Sequence, residues 1–283
     1  MKSRFGTRVA QVDVFTAHAF GGNPAAVLLL EGAEGAARWG DDKWMGKVAR
    51  EMACSNTAFA RCRESGEGYD LRWFTSGGVE VALCGHATLA TAHVLYEGER
   101  ISLDQPVRFH TQSGVLTATR RNDGAVDMDF PIEPAVQVSA VSEQIHAGIP
   151  ADIVWVGRNR LDYIIEVTNE STLRSLVPNL AILAEVETRG FVVTAAAEDP
   201  LRDGYQYVLR FFGPRVGVPE DMVTGTAHCA LAPYWQERLS DGRSRFTAMQ
   251  TSARGGLVDV ELKGNRVSIG GKAVTVLEGT ILA

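Results

Sequence analysis

The sequence predicts an α+β fold of two pseudo-symmetric domains, each a mostly antiparallel sheet curled around one central helix. Three observations carry this expectation. First, the 283-residue chain nearly repeats itself: residues 80–90 (EVALCGHATLA) align without a gap on residues 220–230 (EDMVTGTAHCA), an offset of 140, or half the chain. Glu80 falls on Glu220, Cys84 on Thr224, Gly85 on Gly225 and Ala87 on Ala227. Second, the segments preceding the two copies also match. Leu71-Arg72-Trp73-Phe74 parallels Leu209-Arg210-Phe211-Phe212, and both are aromatic and aliphatic runs suited to strands. Third, strand patterns outnumber helical ones. The period is far longer than that of solenoid repeats, so two similar domains facing one cleft are implied.

In chain order, strands are expected at 8–14, 25–30, 57–61, 70–74, 107–110, 115–120 and 126–130. They continue at 153–156, 163–167, 190–194, 207–212, 245–251, 257–262, 267–269 and 274–277. Each is a β-branched or aromatic run bounded by turn residues. A helix is expected at 43–52, where Trp44, Val48 and Met52 recur at fourfold spacing, and another at 171–186 with an interrupted stripe. Two more helices open on the repeat and run to about Glu97 and Arg238. The first is apolar nearly all round (Ala87, Leu89, Ala90, Ala92, Val94, Leu95), as a helix enclosed by a sheet should be. Gly-punctuated hairpins close both halves, and Asn122-Asp123-Gly124 with Pro131 and Pro134 marks the crossing between them. The first domain is therefore placed at 1–124, completed by 275–283, and the second at 125–274.

Composition narrows the function. A hydrophobic content of 45% supplies packed cores, while a net charge of −6 without a dense Lys/Arg block argues against nucleic acid as a partner. The first fifteen residues alternate polar and apolar instead of forming the apolar core of a signal peptide, and the apolar run 25–30 is too short to span a bilayer. A cytoplasmic protein with no membrane partner is expected. Cys54, Cys62, Cys84 and Cys229 show no regular spacing, so reduced thiols are expected, with neither disulfides nor a structural zinc site. No phosphate loop or GxGxxG opens a helix, so no nucleotide cofactor is implied.

The paired helix starts carry the chemistry. The first N–H groups of a helix lack internal partners and sit at the positive end of its dipole, so Cys84-Gly85-His86 and Thr224-Gly225-Thr226 suit a carboxylate or a forming enolate. His86 offers an acid or base near neutrality, Asp221 lies three residues before Thr224, and Cys84 stands where a helix start depresses a thiol's pKa. An acid and a base on opposing halves is the arrangement of an isomerase or epimerase. Buried packing remains an alternative for each of these residues.

The stretches 13–29 (DVFTAHAFGGNPAAVLL), 48–59, 71–95, 210–235 and 250–279 together resemble the phenazine-biosynthesis PhzF-like family, nearly end to end. That resemblance implies a diaminopimelate epimerase-like fold with its active site between two domains, no cofactor and no metal, and members that are often homodimers. It implies proton transfer by Asp221, which matches the acidic residue of an EDPxTG motif, and by His86 of a GH motif. Asn23, Asn56, Gly85, Thr224, Gly225 and Thr226 match positions lining the site of a small carboxylate-bearing substrate. Phenazine-forming members carry Glu where this chain has Asn56, and an amide cannot serve as a base. Met222 and Ser76 each replace a usual Pro, changes expected to loosen loops without touching the chemistry. The related two-thiol racemases use a Cys at both helix starts, whereas here Thr224 faces Cys84. Besides the isomerase, two readings stay open: a lyase removing water from a hydroxy-amino acid with Cys84 as base, and a non-catalytic binding protein with a vestigial cleft.

Overall fold

A computed structural model describes residues 6–282 and separates the chain into two units, one running from its start through Asp129 and joined by Gly270 onward, the other Phe130–Ile269. In chain order the elements are β1 (Thr7–Val14), β2 (Asn23–Leu29), α1 (Gly32–Trp39), α2 (Asp42–Met52), β3 (Asn56–Cys62), β4 (Tyr69–Thr75), β5 (Glu80–Val81), α3 (Gly85–Glu97), β6 (Val107–Thr111), β7 (Gly114–Arg120) and β8 (Val126–Pro131). Then follow β9 (Val136–Gln137), α4 (Glu143–Gly148), β10 (Ile153–Arg158), β11 (Asp162–Val167), α5 (Glu170–Ser175), α6 (Leu180–Leu183), β12 (Gly190–Ala196), α7 (Pro200–Asp203), β13 (Tyr207–Gly213) and β14 (Val218–Asp221). A 3₁₀ turn, Gly225–Ala227, leads into α8 (His228–Leu239), and β15 (Arg245–Gln250), β16 (Gly256–Lys263), β17 (Arg266–Gly271) and β18 (Ala273–Ile281) complete the chain.

The repeat is one of topology as well as sequence. In the first unit β2–β3 is parallel, β3–β4 and β4–β5 antiparallel, β4–β6 parallel and β6–β7 antiparallel. In the second unit β11–β12, β12–β13, β13–β14, β13–β15 and β15–β16 follow the same succession. β1 adds antiparallel pairings to β2 and β18, and β10 adds them to β11 and β9.

Each sheet is covered on one face by its long helix. α3 packs on β1, β2, β3, β7 and β18, and its buried residues Ala87, Thr88, Leu89, Ala90, Ala92 and Leu95 point in every direction around the axis. A helix apolar all round must be buried, and here the strands around it supply the cover. The other face carries short helices. In the first unit Trp44, Met45 and Val48 of α2 meet Phe59 and Phe74, whose rings lie edge to face at 5.6 Å. In the second, Ile145, Leu173 and Leu183 meet Phe191, Val193 and Phe212.

The expected helix at 171–186 is two short ones, because Pro178 lacks a donor and excludes its predecessor from helical backbone. Strands β5 and β14, too short and polar to show a period, lead directly into the repeated helix starts. No described helix is long and apolar enough to cross a membrane.

Candidate active site

The candidate residues fall into two sets, one in each unit. In the first, Asn23 and Asn56 are the opening residues of β2 and β3, and the parallel register that sets Ala25 opposite Asn56 brings both amides to the same end of the sheet. The loop before Asn23 is held open at some conformational cost: Phe15 and Phe20 adopt φ of 66° and 73°, and the buried Asp13 accepts the Phe20 N–H at 2.6 Å. Gly22 must be glycine, because its φ is +61° and a Cβ there would lie 2.0 Å from the Val14 carbonyl oxygen.

Cys84 caps α3 in position, but its side chain makes no capping bond. The thiol is buried, with Sγ 3.6 Å from His86 Nδ1 and 4.0 Å from Nε2. Desolvation pushes the His86 pKa down to about 4, so the imidazole is neutral across the physiological range and not poised near neutrality as its position on the sequence suggests. A thiol donating to the nearer Nδ1 leaves the imidazole proton on Nε2.

In the second unit the Asp221 carboxylate is held at both oxygens. Thr224 Oγ1 donates to Oδ2 at 2.6 Å, and the Met222 N–H donates to Oδ1 at 2.9 Å. Thr224 is by type a good N-cap, yet its hydroxyl makes no capping bond and serves the carboxylate instead. The arrangement is fixed by Gln250, which is fully buried. Its Oε1 must face the Thr224 N–H, at 2.7 Å, so its Nε2 faces the Asp221 carbonyl at 2.8 Å and Thr224 Oγ1 at 3.4 Å. With that side of the hydroxyl oxygen receiving a donor, its own hydrogen is directed at Asp221. Thr226 Oγ1 accepts from Arg189 at 3.3 Å, and Arg189 is itself forked on Asp162.

Met222 adds to the expectation of a loosened loop a bond that the sequence does not show, its N–H to Asp221 Oδ1. A proline here would have no N–H to give, and Asp221 would lose one of these two donors. Sequence reasoning missed Gln250 altogether, since a single Gln at the end of a strand carries no motif.

His228 and Cys229, just beyond the second helix start, belong to the core. His228 Nδ1 lies 2.8 Å from the Tyr207 hydroxyl, and burial lowers its pKa to about 3, while the Cys229 thiol is pushed up to about 12. Unfolded His228 takes up a proton near pH 6.5 and folded His228 resists it. The unfolded state thus binds more protons below that pH, and stability is lost as pH falls from 6.5 toward about 3. At pH 5 the cost is about 2 kcal/mol from His228, with a smaller addition from the partly exposed His86. Urea unfolding at pH 7 and pH 5 is expected to show that loss, and His228→Gln to diminish it. A pH-independent midpoint would contradict the burial.

All four cysteines are free. Among the described residues no three His, Cys, Asp or Glu side chains are gathered to hold a metal ion. A groove of about 780 Å³ in the first unit, lined by Arg8, Glu31, Glu97 and Arg100, contains none of the candidate residues and lies at the end of α3 opposite Gly85.

The model of the phenazine biosynthesis-like protein family matches residues 12–279. An uncharacterized isomerase of Halalkalibacterium halodurans is 45% identical over 276 residues, 98% of both chains. A human phenazine biosynthesis-like domain-containing protein is 38% identical, covering 96% of this chain and 97% of its own. Among solved structures, a PhzF family protein from Enterococcus faecalis superposes with a TM-score of 0.88 at 33% identity, over 98% of this chain and 99% of its own. A hydroxyproline epimerase from Agrobacterium vitis shares the fold alone, with a TM-score of 0.60 at 12% identity, covering 97% of this chain and 90% of that one. The chain has the epimerase fold and belongs to the phenazine biosynthesis-like family, PhzF.

Proposed function

We propose that this protein is an isomerase that moves a proton within a small carboxylate-bearing metabolite, without a cofactor, using the two helix starts on one substrate. The observation that carries the reading is the Asp221 carboxylate, which accepts from Thr224 Oγ1 at 2.6 Å and Met222 N–H at 2.9 Å beside an uncapped helix start. Two donors, one at each oxygen, fix the direction of the carboxylate and leave it free lone pairs to meet a substrate hydrogen. Asp221 removes hydrogen from the carbon next to the substrate carboxylate, and the enolate charge develops against N–H groups of Gly85, Gly225 and Thr226. Neutral His86 faces the same charge as a hydrogen-bond donor, and the proton held by Asp221 returns at another carbon on the same face of the substrate. Asn23 and Asn56 orient the substrate. Relatives named as isomerases, and the shared epimerase fold, support the reaction class.

Cys84 separates this from the lyase reading. Its contact with His86 makes it a support for the imidazole, so Cys84→Ser is expected to keep turnover within about tenfold of wild type. The lyase requires the reverse: an inactive Cys84→Ser and a partly active Asp221→Asn, read in the same assay of solvent-hydrogen incorporation.

A further inference from the structure

Glu80 and Glu220 open the two copies of the repeat, yet neither has a part in the chemistry above. Each is gripped by an arginine of the strand before it. In the first unit Arg72 Nε donates to Glu80 Oε1 at 2.7 Å and Nη2 to Oε2 at 2.8 Å. In the second, Arg210 Nε donates to Glu220 Oε1 at 2.7 Å and Nη2 to Oε2 at 2.9 Å. The remaining nitrogen, Nη1, donates in both units to a main-chain carbonyl where an outer helix ends: Trp39 O at 2.9 Å and Leu176 O at 2.6 Å. Each guanidinium also lies over the ring two residues on, 5.4 Å from Phe74 and 4.9 Å from Phe212.

Stability alone is a poor reason to keep two such pairs. Partly buried ion pairs return little net free energy once desolvation is counted, and apolar replacements often do as well. A planar fork does fix direction. β5 has two residues and β14 four, so each is registered on its long neighbour by few ladder bonds. Glu80 precedes Cys84 by four residues, Glu220 precedes Thr224 by four, and Glu220 adjoins Asp221. The side chains are mostly shielded, at 16% and 23% exposed for Arg72 and Glu80 and 12% and 29% for Arg210 and Glu220, so water competes weakly for the fork.

We propose that Arg72–Glu80 and Arg210–Glu220 are matched positioning clamps, each tying the short strand before a helix start to the outer helical layer, and that the second clamp sets the placement of Asp221. Its kinetic consequence rests on the isomerase reading; its structural consequence does not.

Arg→Lys keeps the charge and loses the fork. In Arg210→Lys, hydrogen–deuterium exchange by mass spectrometry is expected to quicken about tenfold in peptides covering 221–227, with peptides of β16 unchanged. Arg72→Lys should act likewise on 81–87. With substrate, Arg210→Lys and Glu220→Gln are expected to lower kcat about 10- to 100-fold and leave KM within about threefold, because misplacement of a reacting group costs on that order. Ethylguanidinium should restore part of the rate of Arg210→Ala in a saturable way. Unchanged protection at 221–227 in Arg210→Lys and Glu220→Gln would overturn the proposal, as would a uniform loss of protection that tracks global stability. If wild type moves no substrate hydrogen, the isomerase reading fails, and the exchange measurement still decides the clamp.

Discussion

Asp221→Asn is expected to lower turnover by about 10³-fold or more, the upper part of the range for losing a positioned general base, while the folded state survives. The amide keeps an oxygen for one of the two donors, now at 2.9 and 2.6 Å from the carboxylate, and its NH2 faces the other, so one hydrogen bond is lost while the bonds of Gln250 to the Thr224 N–H and the Asp221 carbonyl still hold the backbone. It has no site that takes a proton in the physiological range. Turnover and thermal unfolding of the same preparation check both halves of the statement: activity lost with a melting temperature within a few degrees of wild type. Asn that retains substantial turnover would remove Asp221 from the chemistry.

The largest expected effect on stability is at Trp235, on the helix that carries the second start. The side chain is 2% exposed, its Nε1 donates to Thr194 Oγ1 at 3.0 Å, and its ring stacks on Tyr207 at 5.6 Å. Trp235→Ala opens a cavity that the surrounding strands cannot fill, at a cost of about 3–5 kcal/mol. Against a typical total of about 5–15 kcal/mol this is a large share. Urea unfolding is the measurement, with Trp235→Phe as the control that keeps most of the ring. A loss below about 1 kcal/mol would mean that α8 is not anchored through this residue.

The residues behind these changes and the clamps differ in how far the sequence shows them. The repeat was legible because helix starts demand Gly and small residues at fixed offsets, and those survive in both halves at Gly85 and Gly225. The enclosed helices were legible for the same kind of reason, since Ala87, Leu89 and Ala90 leave no polar face. Short elements were not: β5 spans two residues, too few for any period, and Pro178 breaks a stripe whose spacing reads as one helix. At the candidate site, the residues proposed to act stood out by type, whereas those that hold them did not. Gln250 lies 29 residues beyond Asp221 and meets it only because β15 runs beside β13. The effect of Met222 was hidden because it acts through the backbone, as the donor that a proline would lack. The behaviour of His86 depends on desolvation, a property of its surroundings that no local spacing encodes.

The most direct test is deuterium incorporation from D₂O, followed by NMR, with amino, hydroxy-amino and cyclohexadiene carboxylic acids as substrates. Wild type is expected to introduce deuterium into at least one of these acids, at the carbon that receives the returning proton, and Asp221→Asn into none. Exchange that persists in Asp221→Asn and disappears in Cys84→Ser would contradict the proposed isomerase.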